Sequence, residues 1–192
     1  RKIKGTGGSE PGVSGTARTP EPTGGWKPEG PSCLLALISR GLLEGHCASC
    51  NLFGAEEDPA TSPWMLERYR DVPEVFVVHD CDKSGQSGAL FVSNGSKTRP
   101  GWAPALANVA GRVRNFVPPY EMIDSHGKDM RDLIIQRTAI HDRGNEVYRD
   151  LIESARRGDK IEPVELKAAP ALKNVTVGDF EPESIDDPHR LA

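Results

Sequence analysis

Leu34, Leu37, Ile38 and Leu42 recur at the spacing of one helical face, with Ser32 placed to cap and Gly41 near the end. The pattern predicts a helix of two to three turns. Residues 45–63 are rich in turn formers and leave room for at most one short strand, and Trp64 to Arg70 reads as a short helix. Glu74-Val75-Phe76-Val77-Val78 is a continuous apolar run, the mark of a strand buried on both faces of a parallel sheet, and it stops at His79-Asp80. A Gly-, Ser- and Lys-rich loop is expected next. Trp102, Leu106, Val109 and Val113 then share a helical face, with Pro104 tolerable in the first turn. Asn115-Phe116-Val117 predicts a strand closed by Pro118-Pro119. Met130, Leu133 and Ile134 open another helix, and Val147, Leu151, Ile152 and Ala155 a further one ending at Gly158. Helices alternating with apolar strands predict an α/β, Rossmann-like domain: a mostly parallel sheet flanked by helices.

The ends read differently. Residues 1–32 hold 8 Gly and 5 Pro and, among large apolar residues, little beyond Ile3 and Trp26. Such a segment cannot bury enough surface to offset its ordering entropy. The expected organisation is a Gly/Pro-rich linker over 1–28, one folded domain over 29–160, and an acidic tail over 161–192 carrying Asp179, Glu181, Glu183, Asp186 and Asp187. Both termini are expected to be extended or disordered. The chain starts at Arg1, which suggests a piece of something longer.

Net charge is −4, from 24 Lys plus Arg against 28 Asp plus Glu, which argues against wholesale coating of nucleic acid but permits a local basic groove. No apolar run approaches the roughly 20 residues of a membrane helix, so a soluble, cytoplasmic protein is expected. Four cysteines, Cys33, Cys47, Cys50 and Cys81, are expected to be reduced thiols. His46, Cys47 and Cys50 have the spacing of zinc ligands, but no second pair follows at finger-like distance. Buried thiols are the default there.

The sharpest chemical signal is Asp80-Cys81-Asp82 directly after the apolar strand. Ligands in open α/β sheets bind beyond the carboxyl ends of strands. Alternate residues of an extended segment point the same way, so the two carboxylates share a side. Crowded carboxylates repel unless a cation lies between them, and hard oxygen donors suit Mg²⁺ or Mn²⁺. Ser84-Gly85-Gln86-Ser87-Gly88 reads as a flexible loop able to approach phosphate. A strand followed by D-x-D also suits a phosphatase using Asp80 as nucleophile, or a sugar-nucleotide transferase.

Upstream and downstream motifs discriminate. Glu29-Gly30-Pro31-Ser32-Cys33-Leu34-Leu35-Ala36-Leu37 resembles the first toprim motif, a Glu-Gly at a strand end leading into a Leu- and Ala-rich helix. Asp80-Cys81-Asp82 with Ser84-Gly85 resembles the second. Gly127-Lys128-Asp129-Met130-Arg131-Asp132-Leu133 is similar to the stretch that closes toprim domains of bacterial and mobile-element primases and primase-helicases.

The resemblance covers about Glu29 to Arg157. It implies a toprim fold and metal-dependent nucleotidyl transfer in primer synthesis during DNA replication. Glu29, Asp80 and Asp82 would be the catalytic and metal-holding acids for Mg²⁺ or Mn²⁺, with Glu29 also a general base or acid. Lys83 and Lys128 would contact phosphate, with Lys97 and Arg99 as further candidates. The partners implied are a single-stranded DNA template, nucleoside triphosphates and a fused or separate helicase. His79, His126 and His141 are expected to be polar neighbours rather than catalysts.

Two departures stand out. Cys33 occupies the place where the family's first motif usually carries a further Asp, and a thiol is a poor ligand for hard Mg²⁺. Thr23-Gly24-Gly25-Trp26-Lys27-Pro28, where a strand should precede Glu29, lacks an apolar run and contains Pro28, so that strand is expected to be weak or absent. The competing reading is therefore a non-catalytic toprim module binding nucleic acid or a partner.

Overall fold

The computed structural model describes residues 21–52, 54–94, 97–140 and 144–162. The expected acidic tail from residue 163, His141 and most of the expected leading linker lie outside these ranges. Four parallel strands and one antiparallel edge strand form a sheet in the order β2-β1-β3-β6-β7. The strands are β1 (Gly24–Pro28), β2 (His46–Ala48), β3 (Val75–Val78), β6 (Val113–Asn115) and β7 (Asp159–Ile161). A separate hairpin pairs β4 (Phe91–Asn94) with β5 (Lys97–Pro100), where the sequence predicts loop. The helices are α1 (Pro31–Ser39), α2 (Pro63–Arg68), α3 (Lys83–Leu90), α4 (Trp102–Leu106), α5 (Met130–Ile140) and α6 (Gly144–Arg156). None among the described residues is long and apolar enough to cross a membrane.

Strand alternation sorts the sheet into two packed faces. Trp26, Phe76 and Val78 meet Leu34 and Leu37 of α1, Leu133 and Ile134 of α5, and Leu151 and Ala155 of α6. Val75, Val77 and Val113 meet Met65 of α2, Tyr69, Ala89 of α3, and Trp102 and Leu106 of α4. Helices thus cover both faces of the sheet, which is why β3 carries no polar residue.

The segment expected to be weak is the second strand of the sheet, buried along its whole length. Folded structure therefore begins at least five residues ahead of Glu29. Gly24 and Gly25 replace the usual β-branched residues because a Cβ would lie 2.6 Å from His46 Nε2 at the first and 3.0 Å from the Tyr69 ring at the second. Pro28 is tolerated at the last position. Gly25 and Glu29 donate towards β3, to Glu74 O and Val78 O, so the missing Pro28 N–H falls on the β2 side, where the ladder has ended at Trp26 and Ala48.

Three other expectations are corrected. Gly30, not Ser32, is the N-cap of α1, with Pro31 at the first helical position, where its absent N–H costs nothing. The Ser84–Gly88 segment is helical, because Asp82 caps α3 and accepts from Gly85 N at 2.8 Å. A Cβ at Gly88 would collide with Ala55 O, so this glycine serves close packing rather than looseness. The helix at Trp102 ends at Leu106, and Val113 lies in β6, paired with Val75.

Candidate metal centre

Chain direction reverses laterally between β1 and β3: β2, which follows β1, lies on one side of this pair, and β6, the next strand of the sheet after β3, on the other. The crevice beyond the carboxyl ends at such a switch point is where ligands bind in open α/β sheets. Glu29 directly follows β1, and Asp80 follows β3 by one residue. Their proximity is direct, since Asp80 N donates to Glu29 Oε2 at 3.0 Å. A Cβ at Gly85 would lie 2.8 Å from the same Glu29 oxygen and 2.6 Å from Asp80 O, so glycine lets α3 close over the pair.

Asp80 is half-buried, and no donor among the described residues reaches its carboxylate. Burial first, then Glu29, Asp129, Asp82 and Asp132, push its pKa from 3.8 to about 7. Glu29 is also raised, by burial above all, while the bond from Asp80 N opposes the shift. Asp82 holds backbone on both sides: one of its oxygens caps α3 at Gly85 N and the other accepts from Gly127 N at 3.1 Å. A Cβ at Gly127 would collide with the Cys81 carbonyl, which is why the 127–129 segment can lie against the D-x-D turn.

Sequence reasoning quoted Asp129 only as part of a motif, yet the structure puts it in the cluster. It forms a reciprocal cap with Asp132 at the start of α5: Asp132 N donates to Asp129 Oδ1 at 2.9 Å, and Asp129 N to Asp132 Oδ2 at 3.1 Å. The legible signal was D-x-x-D ahead of an apolar helical run. Cys33 Sγ and one oxygen each from Asp80 and Asp129 all lie within 4.8 Å of one another, a span that one ion can bridge after small adjustments. The Cys33 thiol, buried against these acids, is pushed up to about 12, so it is a neutral thiol unless a cation displaces the proton. Three helices, α1, α3 and α5, begin at this crevice, and their N-terminal dipoles offset part of the accumulated negative charge.

Two buried groups underneath complete the site. Lys27 is fully buried, donates to Asn51 Oδ1 and to Pro28 O (3.4 Å), and sits 4.2 Å from the Trp102 ring centroid. Burial lowers its pKa to about 7. His79 Nδ1 lies 2.9 Å from Gly85 O and 3.8 Å from Glu29 Oε2. Burial drives His79 down to about 3, so it is neutral and its approach to Glu29 is no salt bridge. Its place is that of a polar neighbour.

The expected phosphate contacts lie at the rim. Lys83 is exposed and paired with Asp124 at 2.6 Å, and Lys128 is exposed with its ammonium 4.9 Å from the Tyr120 ring centroid. Arg99 is turned away, bonded to Glu56 O and Asp58. The four cysteines are buried and form no disulfide. His46 faces Tyr148 and Glu44 O rather than completing a Cys47–Cys50 cluster.

No protein-family model matches the chain, and no curated protein or solved structure matches it.

Proposed function

We propose that this domain is a toprim-type module for metal-dependent nucleotidyl transfer in primer synthesis, working within a larger primase or primase-helicase on a single-stranded DNA template and nucleoside triphosphates. The observation that carries the reading is the Asp80 carboxylate. It stands in the switch-point crevice without a hydrogen-bond donor among the described residues, and four further acidic groups surround it. Such a group asks for a cation. The donors that converge are Cys33, Asp80 and Asp129; Asp80 and Asp129 would supply the oxygen ligands that Mg²⁺ or Mn²⁺ takes, with Glu29 beside them on Asp80 N and Asp82 holding the backbone around them.

A divalent ion supplies charge neutralisation at phosphate oxygens and makes an attacking hydroxyl more acidic. The protein's own groups do the rest. Asp80 N pins Glu29 Oε2, leaving Oε1 as the oxygen that takes a proton. Lys128 and Lys83 stand at the rim, where phosphates would approach. Packing of α3 over Glu29 keeps bulk water from the inner side of the crevice.

The test is Mn²⁺ calorimetry together with template-directed primer synthesis on the parent and Asp80→Asn. Loss of both in the variant is expected. Absence of Mn²⁺ binding by the parent would overturn the reading. Binding without synthesis would leave a non-catalytic toprim module, and an acyl-phosphate trapped on Asp80 would replace it with a phosphatase.

A further inference from the structure

A second cleft, of about 510 Å³, opens at the opposite end of the sheet, where β1, β2 and β3 begin and α6 crosses over them. The length of β1 separates it from Glu29. We infer that this cleft binds a phosphomonoester carrying a flat ring, the chemistry of a nucleoside 5′-monophosphate, at a site independent of the carboxylate cluster.

Shape argues for the ring. The cleft has the size of a small-molecule site, and its walls are mainly apolar, with Phe76 and Ile152 of the same core cluster contributing to the lining. Gly24 lines it too, and a Cβ there would lie 2.6 Å from His46 Nε2, so the glycine makes room for the His46 imidazole that forms part of the wall. His46 Nδ1 lies 3.0 Å from Glu44 O, and the Tyr148 hydroxyl lies 2.9 Å from Nδ1 and 3.1 Å from Nε2; because Glu44 O can only accept, Nδ1 carries the ring proton and the hydroxyl donates to Nε2. Burial lowers the pKa of His46 and keeps the ring neutral. With its proton directed at His46, the Tyr148 oxygen retains acceptor capacity towards the cleft, suited to an N–H on a heterocycle.

Charge argues for the phosphate. Glu74, at the inner wall, is approached by three guanidinium groups: Arg114 at 3.1 Å, Arg156 at 3.2 Å and Arg112 at 3.8 Å. Glu74 is thus more than neutralised, although Arg156 alone of the three lines the cleft. Arg149 lines the mouth as well, and the nearby Glu153 is engaged by Arg157 at 3.1 Å rather than by Arg149. Arg149 and the outward edge of Arg156 therefore face the cleft with donors to spare. A planar guanidinium pair is the usual partner of a phosphate dianion.

The experiment titrates the full chain in EDTA with each of the four common nucleoside 5′-monophosphates, the parent nucleosides and inorganic phosphate. At least one monophosphate should bind, with its nucleoside and free phosphate each at least about tenfold weaker. Arg149→Gln and Arg156→Gln should each weaken it by about tenfold or more, the scale of one charge-assisted hydrogen bond. Arg149 is exposed and forms no ion pair with the described residues, so its variant tests the site even if loss of the Arg156–Glu74 contact harms folding. Asp80→Asn should leave this affinity unchanged. Oligonucleotides with and without a 5′-phosphate separate the two sources of the ligand: preference for the phosphorylated strand over the free monophosphate assigns the cleft to strand ends, and the reverse assigns it to free nucleotide. No binding by any of the four up to about 1 mM, binding that requires a divalent ion, or affinity untouched by both arginine variants would overturn the proposal.

Discussion

Replacing Asp80 with Asn is expected to stabilise the metal-free protein at alkaline pH while abolishing its response to metal. The carboxyl titrates at about 7 in the folded chain against an ordinary 3.8, so between these values the native state holds a proton that the unfolded state has released. Stability then falls as pH rises through that window. The gap sets a ceiling of ~4 kcal/mol, and because the side chain is only half-buried, solvent screening reduces the expected penalty to about 1–2 kcal/mol. Asn keeps the shape and cannot ionise. In EDTA at pH 8 the variant should therefore exceed the parent by about 1–2 kcal/mol in urea denaturation, or by roughly 3–6 °C in Tm. Below pH 3.8, where the folded and unfolded parent both hold the Asp80 proton, the difference should vanish. Saturating Mn²⁺ should reverse the order at pH 8, since only the parent gains binding free energy. A variant less stable than the parent at pH 8 without metal, or a difference independent of pH, would refute the account of Asp80 as a carboxylate crowded by acids.

Other expectations follow from the same geometry. Cys33→Asp should tighten Mg²⁺ or Mn²⁺ binding by calorimetry and raise nucleotidyl transfer, at a slight cost in metal-free stability; unchanged affinity would place residue 33 outside the coordination sphere. Co²⁺ titration of the parent should produce a near-ultraviolet thiolate-to-metal absorption band that Cys33→Ser lacks. Gly127→Ala should destabilise the fold by at least about 2 kcal/mol in denaturation, because the new methyl meets backbone rather than a movable side chain. Lys27 titrates at about 7 in the folded chain against an ordinary 10.5, so it makes stability rise with pH between these values, where the unfolded chain holds the extra proton. Lys27→Met should flatten that slope in pH-dependent denaturation.

Legibility in the sequence followed side-chain chemistry more than backbone need. Val75–Val78 announced itself because a strand covered on both faces must be apolar throughout. Gly24–Pro28 did not, because the helical and imidazole neighbours that press on it exclude side chains, and this requirement erases the β-branched signature. The Ser84–Gly88 stretch looked like a loop for a related reason: two glycines that ordinarily weaken helices are required where α3 presses on Asp80 and on Ala55. For the site, Glu29 and Asp80 were legible as acids at strand ends, and the structure joins them. The division of labour among the remaining acids was not. Whether Asp82 faces an ion or the backbone depends on Gly127, 45 residues away, and Asp129 enters the cluster only because α5 packs against α1.

The Asp82 carboxylate ties Gly85 and Gly127 together, while Cys81 N donates to Lys128 O at 2.9 Å and Ile123 N to Cys81 O at 3.1 Å. The crevice is thus stitched from segments near residues 29, 80 and 128, each about fifty positions from the next. Closing loops of that length costs chain entropy before any contact compensates it. Pairing of β1 with β3 already brings Glu29 to Asp80, so docking of the 127–129 segment, which carries Asp129 and meets the Asp82 carboxylate, is the closure that remains. Amide exchange at Gly127 and Cys81 should consequently report the last cooperative step of assembly, and a chain stalled just before that step would have its sheet without its chemistry.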